Sequence, residues 1–127
     1  MTDATALNSV VWFEIPTHDL PRATRFYETL LACQTKPHVI GESQMAVLPY
    51  ERPGVGGCLI FGTGACPSDE GSTVYLNAVP DLDTVLSRVL PAGGEILVPR
   101  TELPPGMGAF AHIRDSEGNR VGLHSLS

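Results

Sequence analysis

Three things are scarce in this chain, and each scarcity removes a class of protein. Only eight lysines and arginines stand against fourteen aspartates and glutamates, a formal charge of −6 over 127 residues. Nucleic acids and anionic membrane surfaces are held chiefly by clustered basic side chains, so neither is an expected partner. Small molecules remain, cationic ones included. Cysteine occurs three times, at Cys33, Cys58 and Cys66, an odd number with no C-x-x-C pair. That usage fits reduced thiols in the cytoplasm and argues against a disulfide framework or a zinc site. No apolar run is long enough to span a bilayer, and the mean hydropathy is only +0.07. The first residues, Met1-Thr-Asp-Ala-Thr-Ala6, show no basic region followed by an apolar stretch, so they are not read as a secretion signal.

What the chain does have is a statement made twice. Val10-Val-Trp-Phe-Glu-Ile-Pro-Thr-His-Asp19-Leu runs into a helical pattern from Pro21 to Leu31. Thr73-Val-Tyr-Leu-Asn-Ala-Val-Pro-Asp81-Leu runs into a second, from Asp83 to Leu90. The two Asp-Leu pairs are offset by 81 − 19 = 62 residues, about half the chain. Two copies of a long unit exclude a solenoid and predict one domain, residues 1–127, of two equivalent modules, 8–62 and 72–127.

Each half supports the same plan. In the first strand Val11, Phe13 and Ile15 alternate with Val10, Trp12 and Glu14. Asp19 is placed to cap a helix, with Pro21 in the first turn where its missing N–H costs nothing. Leu20, Ala23, Phe26, Tyr27, Leu30 and Leu31 then recur at helical spacing. The second helix repeats this with Leu82, Val85, Leu86, Val89 and Leu90, and Pro91 with Gly93-Gly94 is expected to stop it. Three strand-like runs follow each helix: 37–40, 44–48 and 57–61, then 95–99, 109–114 and 120–125. The Gly-, Ser- and Pro-containing stretch 62–72 reads as the connection between modules. The expected fold is therefore α+β, with the order βαβββ twice and helices near 20–31 and 82–90.

Phe13-Glu-Ile-Pro followed by Asp19-Leu-Pro-Arg-Ala-Thr-Arg-Phe-Tyr27, with the closing Asp115-Ser-Glu-Gly-Asn-Arg-Val-Gly-Leu-His124, resembles the vicinal oxygen chelate superfamily. That group holds glyoxalase I, the bleomycin-resistance proteins and the extradiol dioxygenases, and the likeness is closest to its small bacterial glyoxalase-related proteins. The resemblance implies paired βαβββ modules forming a curved eight-stranded sheet around a cleft, usually completed in a homodimer. It does not by itself imply a reaction, because the superfamily spans isomerases, transferases, dioxygenases and binders.

The departures from the family pattern carry the functional information. The metal-ligand positions of the resemblance fall on Trp12, on Thr73 or Val74, on Gly122, and within 57–61, where Cys58 is the one candidate donor. Divalent metals at such sites want His and carboxylate ligands, so no cofactor and no metal is expected. By alternation Glu14 shares a face with Trp12, Tyr75 and Asn77 share one with Thr73, and Arg120 and His124 share one with Gly122. These residues line the expected cleft, with Gly122 opening volume. Glu14 and His124, each two residues beyond a lost ligand position, are expected to converge as an acid–base pair. Trp12, Tyr75, Asn77, His112 and Gly122 are the candidate substrate-binding residues. Each has a plainer reading: Glu14 solvated at a strand end, His124 facing solvent, His112 a sheet residue, Trp12 simple packing, Cys58 a small buried hydrophobe. His18 and His38 flank turns, and Arg22, Arg25 and Glu28 read as helix-surface charges.

Two functions follow. One is a glyoxalase-related enzyme with lyase- or isomerase-type acid–base chemistry and a degenerate metal site, with Glu14 as base and His124 as acid. The other is a metal-free small-molecule or drug binder of bleomycin-resistance type.

Overall fold

The structure, a computed structural model, describes residues 8–127. The reading of the first residues as other than a secretion signal lies outside that range. The first half of the described chain forms β1 (Trp12–Pro16), α1 (Leu20–Leu31), β2 (Lys36–Ile40), β3 (Ser43–Val47) and β4 (Gly56–Phe61). The second forms β5 (Tyr75–Asn77), α2 (Leu82–Leu86), α3 (Val89–Ala92), β6 (Glu95–Glu102), β7 (Ala109–Arg114) and β8 (Arg120–Ser125).

Both helices begin where the Asp-Leu pairs place them. Asp19 Oδ1 accepts from the Arg22 N–H at 3.0 Å, and Asp81 Oδ1 accepts from the Thr84 N–H at 2.8 Å. Each cap satisfies one of the free amides of a first helical turn. The second helix departs from expectation, since a single helix over 83–90 is replaced by α2 and α3. Pro91 is the cause. It lacks the N–H that would bond to the Ser87 carbonyl, and its ring would collide there, so the chain breaks at Ser87–Arg88 and Pro91 falls in the first turn of α3. The stop comes at Gly93, in the left-handed region at φ 105°.

Among the described residues the strands are divided into two four-stranded sheets, β1-β4-β3-β2 and β5-β8-β7-β6, with no ladder between them. In each, the first strand of the module pairs in parallel with the last. Equivalent backbone bonds fix the correspondence: the Thr17 N–H donates to the Ile60 carbonyl, and the Ala78 N–H to the His124 carbonyl, both at 2.8 Å. Ile60 thus corresponds to His124, Cys58 to Gly122, and Trp12 to Thr73.

The inner face of both sheets packs under the helices. Ile15, Ala46, Leu59, Leu76, Ala111, Ile113 and Leu123 meet Phe26, Tyr27, Leu30, Leu82 and Val85 in one core. Burying an apolar side chain of this size stabilises by about 1.5–3 kcal/mol. On β7 the alternation is complete: Ala109, Ala111 and Ile113 are buried, while Phe110, His112 and Arg114 lie half-exposed on the opposite face.

A polar lock joins the modules. The turn Asp115-Ser-Glu-Gly-Asn119 packs against the start of α1 and the end of β1. The buried Tyr27 hydroxyl donates to Asp115 Oδ2 at 2.6 Å, and Asp115 also accepts from Asn119 Nδ2 and from the amides of Glu117 and Asn119. Glu117, its side chain fully buried, accepts from the His18 and Asp19 amides and from both Arg22 Nε at 2.7 Å and Arg22 Nη2 at 3.0 Å. Asn119 Nδ2 donates to the Pro16 carbonyl at 2.8 Å. Arg22 is thus more than the surface charge expected of it. Glu28 is too, since it accepts from the Thr35 amide and hydroxyl.

Burial works to raise the Glu117 carboxyl, but the hydrogen bonds from Arg22, the Asp19 and His18 amides and Ser116 outweigh it and lower its pKa to about 2. A depressed folded-state value means that this stabilisation is present above the ordinary value of 4.5 and is lost as pH falls toward 2. Two outcomes are expected in urea denaturation. Tyr27→Phe, which removes a donor from a buried carboxylate, costs about 1–3 kcal/mol at neutral pH. Glu117→Gln costs roughly 3 kcal/mol there, and its deficit relative to wild type shrinks as pH is lowered from about 4.5 toward 2.

Candidate functional site

The face of the second sheet turned away from the helices gathers the chemistry. The parallel register sets Tyr75 beside Gly122 and Asn77 beside His124, and the antiparallel one sets Phe110 beside His124 and His112 beside Gly122. Five of the predicted residues, Tyr75, Asn77, His112, Gly122 and His124, therefore share one surface.

Gly122 does not open volume there, as had been expected. A Cβ at this position would run into the Tyr75 ring, which lies directly over the glycine. The ring continues into a cluster with Phe110 at 6.2 Å and His112 at 5.4 Å between centroids, and the Tyr75–Phe110 contact is edge-to-face. Tyr75 remains half exposed at 50 %. The first sheet repeats the device, with the Tyr50 ring over Gly56 and Trp12 against Tyr50 at 6.0 Å.

His112 is held from both sides. Tyr75 Oη lies 2.6 Å from its Nε2, and Arg120 Nη1 lies 3.0 Å from its Nδ1. Burial first, and the Arg120 charge second, push its pKa below the ordinary 6.5. At the other end of β8, His124 Nε2 donates to the Met107 carbonyl at 2.7 Å. A cavity of about 500 Å³ sits over this end, walled by Leu103, Met107, Phe110, Tyr75 and His124. Tyr75 also borders a larger cavity of about 800 Å³ along the seam between β1 and β5, lined by Val10, Phe13, Leu48, Val74 and Leu76.

The expected meeting of Glu14 and His124 is not found. Glu14 lines a separate hollow of about 240 Å³ with Asn119, Arg120 and Val121, and no hydrogen bond joins it to His124 among the described residues. Its register partner is Cys58, fully buried, whose thiol is raised to about 11 by burial and secondarily by the Glu14 charge, so it stays protonated at neutral pH. The reason is topological. β1 and β8 belong to different sheets, and the two residues stand near opposite ends of β8, whose Asn119 end meets Pro16 of β1. Two residues were underrated by sequence reasoning. Phe110 was missed and Arg120 was given only a shared face, although the Phe110/His112/Arg114 alternation was visible.

Solved structures similar to this chain are found at full confidence of match. Glyoxalase I from Zea mays superposes with a TM-score of 0.68 at 22 % identity over 91 % of this chain and 45 % of that one. The present chain thus spans about half the length of the maize protein. A glyoxylase/bleomycin resistance protein/dioxygenase domain from Frankia sp. EAN1pec gives 0.67 at 20 % identity, covering 93 % of this chain and 97 % of that one. A glyoxalase-related enzyme from Fulvimarina pelagi gives 0.62 at 17 % identity, covering 93 % and 88 %. The chain has the vicinal oxygen chelate fold. No family model and no curated protein matches its sequence.

The vicinal oxygen chelate fold implies a metal at the centre of its cleft, and the donor set here does not fit one. The module correspondence places the four positions at Trp12, Cys58, Thr73 and Gly122. They offer an indole, a buried neutral thiol, a hydroxyl and no side chain, and the space at Gly122 is taken by the Tyr75 ring. Among the described residues no three His, Cys, Asp or Glu side chains come together as a metal-holding group.

His112 faces Arg120 on β8 and Tyr75 on β5, with Arg114 on its own strand and the apolar Val98 opposite on β6. Its depressed value means that its stabilising contribution is present above the ordinary histidine range and is lost as pH falls below it. NMR titration is expected to place His112 below 6.5, with Arg120→Met moving it back up. Gly122→Ala is expected to displace Tyr75 and cost about 1–3 kcal/mol.

Proposed function

We propose that this protein binds a largely apolar small molecule on the outer face of its second sheet, without a metal. One observation carries the reading: an apolar cavity of about 500 Å³ adjoins convergent polar groups, with Tyr75, His112, Arg120, Asn77 and His124 on one sheet surface. Apolar hollows with a few fixed polar groups are the usual form of small-molecule sites. The enzyme reading rested on Glu14 and His124 acting together, and their separation removes its main support, so binding is the better-supported role. The group that could still serve as an acid in a lyase- or isomerase-type reaction is the Tyr75 hydroxyl, held 2.6 Å from His112 Nε2.

A homodimer in the cytoplasm completes the proposal. β2 is exposed along its whole length, with Val39 at 65 % and Ile40 at 58 %, an apolar edge that a second copy would cover. No helix among the described residues is long and apolar enough to cross a membrane.

Titration with 8-anilinonaphthalene-1-sulfonate, followed by fluorescence and by backbone amide shifts, tests the site. Saturable binding is expected, with shifts concentrated on β5, β7 and β8, unchanged after EDTA dialysis and weakened at least severalfold by Phe110→Ala. Shifts confined to the first sheet, or binding that vanishes with EDTA, would rule the reading out. Light scattering at micromolar concentration is expected to give twice the chain mass, and a monomer there removes the dimer from the proposal.

A further inference from the structure

We infer that Arg120, His112 and Tyr75 form a one-way chain of hydrogen-bond donors whose last member, the Tyr75 hydroxyl, binds an oxygen conjugated to a flat apolar body, as in a phenolate, an enolate or an aryl ketone. The inference rests on the binding reading above and names the chemistry of its ligand.

The direction of the chain follows from what each group can do. A guanidinium only donates, so the His112 Nδ1 that faces Arg120 Nη1 at 3.0 Å carries the lone pair. In a neutral imidazole the single hydrogen is then on Nε2, and Nε2–H donates to Tyr75 Oη at 2.6 Å. The Tyr75 oxygen is occupied as an acceptor, and its own hydrogen is left for something else. Nothing in the described structure takes it, and Tyr75 is half exposed between the two cavities. Protonation of His112 would set an Nδ1–H against the guanidinium, and its lowered pKa agrees with the neutral form.

The chain carries polarity in one sense. Each donor is strengthened by the one behind it, and the positive charge of Arg120 stands at its head. Such an array favours an acceptor that is negative or becomes so, and opposes a cation. The Tyr75 ring lies over Gly122, one of the four positions where the fold would place metal ligands. Phe110, Leu103 and Met107 supply the apolar surroundings that match a flat hydrocarbon frame.

Two probes of similar shape separate the parts of this inference: 4-nitrophenolate, which carries the charged phenolate oxygen, and nitrobenzene, which lacks it and keeps only the weakly accepting nitro oxygens. Wild type is expected to bind both, with 4-nitrophenolate weakened about tenfold by Tyr75→Phe and nitrobenzene unaffected, one hydrogen bond to a charged oxygen being of that size. Equal binding of 4-nitrophenolate by wild type and Tyr75→Phe overturns the donor chain and leaves the cleft standing. Failure of both probes to bind overturns both readings. A ligand-free measurement stands apart from either. Long-range nitrogen–proton NMR is expected to show His112 as the Nε2–H tautomer, and Arg120→Met to release it into a mixture. An Nδ1–H tautomer in the wild type would sink the donor chain whatever the probes do.

Discussion

The buried contact of the Asp115–Asn119 turn with α1 is the constraint on which the rest of this structure depends. Two modules that each bury only one sheet face have little to fix their relative placement, because apolar packing is not directional. Buried carboxylates are directional. Asp115 and Glu117 must have their oxygens satisfied; their own turn supplies some of the donors, and the rest come from the other half of the chain: the Tyr27 hydroxyl, the Arg22 guanidinium and the amides entering α1. An unpaired carboxylate in this position would cost several kcal/mol, so alternative placements of the modules are disfavoured. Asn119 extends the same lock to the end of β1.

That placement decides what kind of site the fold offers. The ends of β1 and β8 are pinned together at Pro16 and Asn119, while the two sheets remain unpaired along the seam between β1 and β5. The seam is open as a cavity rather than closed as a continuous ladder. Tyr75 lies on the edge strand beside it and, with Leu76 and Asn77, borders both the seam and the hollow above β7 and β8. The bare Gly122 and the Tyr75 ring are matched across two strands, since a Cβ at 122 would collide with the ring.

The elements themselves were largely legible. Alternation named the faces of β1, β5 and β8, and Asp19 and Asp81 marked both helix starts, because these signals depend on neighbours within a few residues. The split at Ser87–Arg88 was also written locally, in Pro91, but as a stop signal it was placed four residues too late. What could not be read was pairing between side chains far apart in sequence. Arg22, read as a helix-surface charge, gave no sign of its partner Glu117, 95 residues away in a turn. Glu14 and His124 looked like partners by analogy of position, yet nothing local says which end of one strand meets which end of another.

By itself, then, the sequence determined a twice-repeated βαβββ order, its helix caps, the faces of β1, β5 and β8, and which residue types stand where the resemblance puts metal ligands. These follow from periodicity and residue chemistry, which are properties of the chain before it folds. Only the tertiary structure decided that the strands divide into two sheets, that Tyr75 fills the space of Gly122, and that His112 stands between Arg120 and Tyr75 while Glu14 lies elsewhere. Hydrogen bonding acts over about 3 Å, and strand register and module docking alone bring residues 37 or more positions apart to that distance.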